Sequence, residues 1–130
     1  MIVADASVIL EVLLKTQMGA KVEKRLLAPG QTLHIPYLTD LEVLQVLRRY
    51  SRSAIISGVR ARQVIEDYMD LPLNRYPHAV LLPRIWELRD NFTAYDAAYI
   101  ALAEAIDSPL MTCDRAFATR GHGAKVIFLS

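Results

Sequence analysis

The sequence predicts an α/β fold: a central, mostly parallel β-sheet of four to five strands with helices on both faces. Three observations carry this. The runs Met1-Ile2-Val3-Ala4, Leu33-His34-Ile35, Pro109-Leu110-Met111-Thr112 and Lys125-Val126-Ile127-Phe128-Leu129 are short and apolar, without the polar alternation of a half-exposed strand. Segments of helical periodicity separate them, so successive strands are joined by right-handed crossovers. Acidic residues recur at strand ends and in first helical turns, where sites of parallel sheets form.

The first run leads into Asp5-Ala6-Ser7, after which Val8, Ile9, Val12 and Leu13 recur at helical spacing. Asp5 therefore stands at the carboxyl end of the first strand. A second amphipathic helix is expected from about Gly19 to Leu27, with Lys21, Lys24 and Arg25 on its wet side and Pro29-Gly30 as its stop. Pro36 closes the second strand. Thr39-Asp40-Leu41-Glu42 has the form of a capping box and opens a helix to about Tyr50, with Leu41, Leu44, Leu47 and Tyr50 inward. Ser57 or Gly58 starts the next helix, to about Met69, with Val59, Ile65 and Met69 as its apolar positions and Arg60 and Arg62 toward water. Leu71-Pro72-Leu73-Asn74-Arg75 is a strand candidate. From His78 to Asp90 helical periodicity runs through Ile85, Trp86 and Leu88, and Pro83 predicts a kink or a late start. Thr93 caps an Ala-rich helix extending to Glu104, with Asp96 in its first turn, and a short helix from Asp114 to about Thr119 precedes the last strand.

With 130 residues, 53% of them hydrophobic, and no linker-like run, the chain is expected to form one domain, 1–130. The formal net charge of +1 does not announce a general nucleic-acid binder, so any phosphate contact must be local. A single cysteine, Cys113, cannot pair within the chain, and Asp5 interrupts the N-terminal apolar run before it could serve as a signal-peptide core. No apolar stretch approaches the roughly 20 residues of a membrane span. A soluble protein of the reducing cytoplasm, without membrane contact, is expected.

Four acids occupy comparable junctions: Asp5, Glu42, Asp96 and Asp114. Each has a structural reading alone, Asp5 and Asp114 as N-caps, Glu42 and Asp96 as third residues of capping boxes. Together they would gather negative charge on one rim of the sheet, and neighbouring carboxylates repel unless protonated or bridged by a cation. An all-oxygen set without His or Cys selects Mg²⁺ or Mn²⁺ over zinc, and metal-assisted phosphodiester hydrolysis follows from that chemistry. Ser7 and Thr112 stand beside two of the acids, either hydrogen-bonding a ligand carboxylate or a metal water, or capping turns.

Val3-Ala4-Asp5-Ala6-Ser7-Val8, Leu41-Glu42-Val43 with Leu47-Arg48-Arg49, Thr93-Ala94-Tyr95-Asp96-Ala97-Ala98-Tyr99 and Leu110-Met111-Thr112-Cys113-Asp114 appear in this order over nearly the whole length. In these blocks the chain resembles PIN-domain proteins, most specifically the VapC-type toxic ribonucleases of toxin-antitoxin pairs. The resemblance implies Mg²⁺- or Mn²⁺-dependent endonucleolytic cleavage of RNA, a cognate VapB-like antitoxin that blocks the site, and a homodimer. Asp5, Glu42, Asp96 and Asp114 fall on the family's acidic quartet. Asp5, Asp96 and Asp114 are then the metal ligands, the first and second above all, and Glu42 acts through water. Gln45 stands where relatives often carry Asn, and Cys113 where a small residue is usual, which bears on substrate preference.

Other features are read more plainly. His34, His78 and His122 lack metal-ligand spacing and are expected at the surface or in turns, and Cys113 as a buried inert thiol. Arg48, Arg49 and Arg52 are either a solvated, dipole-favoured helix end or a path for an RNA backbone. Leu10, Leu13, Leu14, Leu26 and Leu27 suggest a groove for an amphipathic partner helix. The alternative to the nuclease is a non-catalytic PIN-like partner-binding module. A phosphatase is disfavoured by Ser7 where a second acid is wanted, and a receiver domain by Lys125 preceding the last strand.

Overall fold

The computed structural model describes residues 1–118 and 121–129. Five strands form one sheet, β1 (Ile2–Ala4), β2 (Leu33–Pro36), β3 (Leu73–Tyr76), β4 (Leu110–Thr112) and β5 (Val126–Phe128), in the order β3-β2-β1-β4-β5. Every pairing is parallel, with Val3 opposite both His34 and Leu110. β1 is central because it leaves no polar side chain to solvent: Ile2, Val3 and Ala4 are all buried. Val3 and Leu110 enter a core with Tyr99, Ile100 and Phe117, while Ile2, Ala4, Leu33, Ile35 and Met111 point into the opposite layer.

Six α-helices lie among the described residues: α1 (Ala6–Leu13), α2 (Gln17–Leu26), α3 (Leu38–Arg52), α4 (Gly58–Asp70), α5 (Leu82–Glu87) and α6 (Ala94–Ala105). Layers on both faces of the sheet are thus present, and all five strands run parallel. Side-chain oxygens cap four of these helices: Asp5 accepts from the Val8 amide, Thr16 from Gly19, Ser57 from Arg60 and Thr93 from Asp96. α1 and α2 pack so closely that a Cβ on Gly19 would lie 2.0 Å from the Glu11 carbonyl oxygen. α3 and α6 end in the same way. The amides of Ile55 and Ser108 return to the carbonyls of Tyr50 and Ala103, with Ala54 and Asp107 at positive φ.

Several expectations about helix faces do not hold. α3 begins at Leu38, so Thr39 lies inside the helix rather than capping it, and its inward face is Thr39, Val43 and Leu47. Leu41 and Leu44 point outward, Leu41 being 71% exposed. In α4 the buried residues are Ala61, Val64 and Tyr68, whereas Val59 and Met69 face solvent. The Arg60 guanidinium reaches back to the Leu13 carbonyl instead of extending into water. Pro83 sits in the first turn of α5, after a 3₁₀ turn over Ala79–Leu81, which is the late start its ring requires. Arg115–Ala118 is a 3₁₀ turn, and Thr119, the expected end of a helix there, lies outside the described residues. Of the leucines expected to form a partner groove, Leu10, Leu13 and Leu26 are buried, while Leu14 is half-buried and Leu27 exposed. Among the described residues no helix is long and apolar enough to cross a membrane.

A polar latch holds α5 to α6. Arg84 donates through Nε to Glu104 Oε1 at 2.8 Å and through Nη2 to Oε2 at 3.0 Å, and the Gly123 amide also donates to that carboxylate. These charge-assisted bonds hold the Glu104 carboxyl below the usual range. On the other side, Tyr68 donates to Asp40, which also accepts from Arg75, tying α4 and β3 to α3. Among the described residues no buried side-chain nitrogen or oxygen lacks a partner.

Candidate active site

Asp5 follows β1 and Asp114 lies two residues past β4, its parallel neighbour, so both stand at the carboxyl end of the sheet. Asp5 is 5% exposed, and both of its carboxylate oxygens are engaged. Oδ1 accepts from Ser7 Oγ at 2.5 Å and from the Val8 amide at 3.2 Å, while Oδ2 accepts from Thr112 Oγ1 at 2.6 Å. Thr112 in turn accepts from the Asp114 amide, and Ser7 from the Cys113 amide. The two hydroxyls thus tie the β1–α1 junction to the segment after β4. Asp114 Oδ1 accepts from the Ala116 amide, as a cap of the 3₁₀ turn.

Asp96 is half-buried in the first turn of α6, where its amide donates to the capping Thr93 hydroxyl. Glu42 is half-buried in the second turn of α3, and Tyr99 of α6 donates to its Oε1 at 2.6 Å. The Glu42 capping box is therefore absent. The partner of Thr39 is the Tyr99 hydroxyl, 2.7 Å away.

The four acids share one electrostatic environment. Burial raises the Asp5 carboxyl most, against hydrogen bonds that lower it, and Asp114 adds repulsion. Burial likewise raises Glu42, with further repulsion from Asp96 and Asp5. Asp96 is raised by burial first, then by Asp114 and Asp5. As the side chains stand, no three His, Cys, Asp or Glu among the described residues converge closely enough to hold a metal ion by themselves. The donor set, all carboxylate and hydroxyl oxygen with unneutralised repulsion between its members, fits a hard divalent cation and not zinc.

Two cavities flank Glu42. One of about 460 Å³ is lined by Leu38, Leu41, Glu42, Gln45, Arg49 and Tyr95. The other, about 280 Å³, lies between α1 and α3 and includes Ser7, Leu10, Leu14, Glu42, Arg49 and Tyr50. Arg49 is the member of the arginine cluster that borders both.

The remaining polar candidates have structural tasks. His34 is buried in β2, contrary to expectation, and bonds Tyr76 and Thr32. His78 Nε2 accepts from the Leu38 amide at the start of α3, and His122 bonds the Phe117 carbonyl and the Ala124 amide. Cys113 is half-buried, not fully buried, with Sγ 3.3 Å from Met18 Sδ, and burial pushes its thiol up. The contacts that sequence reasoning missed are those of Thr39 and Tyr99. Both stand in the motif blocks, but a hydroxyl ahead of an acid looks like a cap and a tyrosine in an Ala-rich helix looks like core.

An all-parallel sheet with acids collected at its carboxyl end defines an α/β protein with one anionic rim. The chain belongs to the PIN domain family, which matches residues 2–122, and within it to the VapC group. Ribonuclease VapC12 of Mycobacterium tuberculosis is 39% identical over 127 residues, covering 97% of each chain. Two solved structures share the fold at low identity. VapBC2 from Rickettsia felis, bound to a DNA fragment from their promoter, superposes with a TM-score of 0.75 at 14% identity over 100% of both chains. Mycobacterium tuberculosis VapC20, a sarcin-ricin loop cleaving toxin, gives 0.67 at 15% identity, covering 95% of this chain and 97% of that one.

Proposed function

We propose that the chain, acting as one PIN-like domain over residues 1–130, is a divalent-metal-dependent endoribonuclease and the toxin of a toxin-antitoxin pair. The observation that carries this reading is Asp5 and Asp114 standing at the carboxyl ends of adjacent parallel strands, with Glu42 and Asp96 near enough to share one field: burial first, and repulsion from neighbouring acids second, raises Asp5, Glu42 and Asp96. The ribonuclease and toxin names of relatives supply the substrate class.

Asp5, Asp96 and Asp114 would hold Mg²⁺ or Mn²⁺, with water and substrate oxygen completing the shell. When bound, the ion supplies Lewis acidity toward the phosphate and an acidified water. Ser7 and Thr112 keep both oxygens of Asp5 oriented, and Thr112 steadies the turn that carries Asp114. Glu42 has one oxygen occupied by Tyr99 and acts through water. Arg49, bordering both flanking cavities, is placed to meet the RNA backbone.

Two partners belong to the same reading. The cavity between α1 and α3 runs from Leu14 and Tyr50 to Ser7 and Glu42, so a VapB-like antitoxin segment seated there would cover Glu42 and the Ser7 that holds Asp5. Leu41, Leu82, Trp86 and Tyr95 are exposed, and all but Trp86 line two adjoining cavities that share Leu38 and Tyr95. A second copy of the chain, as a homodimer in the cytoplasm, would cover that face.

The test is cleavage of total bacterial RNA with and without Mg²⁺ or Mn²⁺. Wild type is expected to cut only with the ion, and Asp96→Asn to lose cleavage while keeping its circular dichroism spectrum. Equal cleavage by wild type and variant, or cleavage in excess chelator, refutes the reading. Absence of both cleavage and calorimetric Mn²⁺ binding favours the non-catalytic partner-binding module.

A further inference from the structure

Tyr99 is 1% exposed, with its ring edge-on to Phe117 at 6.2 Å, and a phenylalanine would fill the same space. Its hydroxyl is directed specifically. It donates to Glu42 Oε1 at 2.6 Å and lies 2.7 Å from Oγ1 of Thr39, a fully buried residue in the first turn of α3. A phenol has one proton, and an ionised carboxylate only accepts, so that proton belongs to Glu42. Thr39 must then be the donor to Tyr99. The three groups form a chain of fixed polarity, Thr39 to Tyr99 to Glu42.

The chain crosses between elements. Thr39 and Glu42 are three residues apart on α3, and Asp96 and Tyr99 three apart on α6, so each pair shares one helix face. One helix thus supplies an acid directly and holds a second through a hydroxyl. Glu42 is a long, half-buried side chain, and none of the ion pairs among the described residues includes it. Without the phenol its carboxylate would sample several rotamers, each with a different place for the water it addresses.

We propose that Tyr99, backed by Thr39, is a positioning residue that sets the Glu42 carboxylate against the other acids. The inference rests on the ribonuclease reading above. It differs from a merely structural role in that the Tyr99 hydroxyl should matter to the rate only while residue 42 carries a carboxylate for it to orient.

The experiment is a double-mutant cycle of Tyr99→Phe with Glu42→Gln. It is read as the single-turnover rate on total bacterial RNA at saturating enzyme, with RNA retention in Ca²⁺ as the binding control. Tyr99→Phe is expected to lower the rate roughly 10- to 100-fold, as loss of an outer-shell partner does, with retention unchanged. In the Glu42→Gln background it is expected to add nothing. Thr39→Val should lose rate in the same direction and Thr39→Ser should keep it. A second readout needs neither metal nor RNA: a low-field hydroxyl proton resonance that vanishes in Tyr99→Phe and moves upfield in Glu42→Gln. A wild-type rate in Tyr99→Phe, or an equal loss in both backgrounds, overturns the proposal. A wild type that cuts no RNA overturns the ribonuclease reading and the catalytic part of this one together. The proton resonance decides the Glu42 contact separately, and its indifference to Glu42→Gln overturns that contact whatever the RNA result.

Discussion

The Thr112 hydroxyl donates to Asp5 Oδ2 at 2.6 Å across two parallel strands whose neighbouring residues, Ala4 and Met111, are in register. The same oxygen accepts from the Asp114 amide, so one buried hydroxyl joins two acids that stand 109 positions apart in the chain. Thr112→Val keeps the shape and deletes both bonds. It is expected to cost about 1–3 kcal/mol of stability, because a buried amide and a carboxylate oxygen lose a partner, and roughly 10- to 100-fold in RNA cleavage. Thermal melts and cleavage rates check this, and Thr112→Ser should restore both.

The raised carboxyls make a pH prediction whose sign is definite. Asp5, Glu42 and Asp96 ionise less readily in the fold than in the unfolded chain, for burial first and mutual repulsion second. Their contribution to stability is fully present below the unfolded carboxylate range and is lost as pH rises through the folded values. Glu104 acts oppositely: lowered by Arg84, it stabilises above its unfolded value and fails as pH falls through its folded one. Without divalent ions, Tm should therefore rise as pH falls from neutrality toward the unfolded carboxylate range, about 4, and fall in stronger acid. Asp96→Asn should raise Tm near neutrality by about 1–3 °C, a small gain because the group is only half-buried. Calorimetry across this range would show a flat or inverted profile if burial and repulsion together do not raise these carboxyls.

Ala54 occupies the left-handed position after α3, with φ 56°, inside a pair of return bonds from Ala54 to Ser51 and Ile55 to Tyr50. A Cβ there costs what glycine avoids. Ala54→Gly is expected to stabilise the protein by about 0.5–1 kcal/mol without touching activity, the reverse of the usual effect of introducing glycine. Denaturant midpoints of the two proteins decide it.

Gly19 is the opposite case. Its added Cβ would meet backbone, the Glu11 carbonyl at 2.0 Å, which cannot turn aside as a side chain does. Gly19→Ala is expected to separate α1 from α2 and to cost about 2–3 kcal/mol, visible as a lowered urea midpoint. Unchanged stability would mean that the two helices part without penalty.

What could be seen in the sequence followed from local rules. The apolar run before Asp5 marks a doubly buried strand, and Thr93 before Asp96 marks a helix start, because each signal lies within a few residues of its effect. α3 resisted the same treatment. Leu41 and Leu44 outweigh Thr39 and Val43 in hydrophobicity, yet they face outward while a threonine is buried, since its hydroxyl has Tyr99 for a partner 60 residues away. Periodicity finds an apolar stripe but cannot choose between two when one of them is exposed. Glu42 misled similarly: it sits where the third residue of a capping box would, but its carboxylate accepts from Tyr99. The Gly19 contact had no signal at all, because close approach is a property of the partner helix.

Asp5 is both the cap of α1 and a member of the acidic rim, whereas Asp96 leaves the capping of α6 to Thr93. Cells selected to survive expression of this chain should therefore yield two kinds of survivor. Changes at 96 would leave abundant, intact protein still capable of occupying its neutralising partner. Changes at 5 that delete the cap would also lower the amount of folded protein, and with it the claim on that partner.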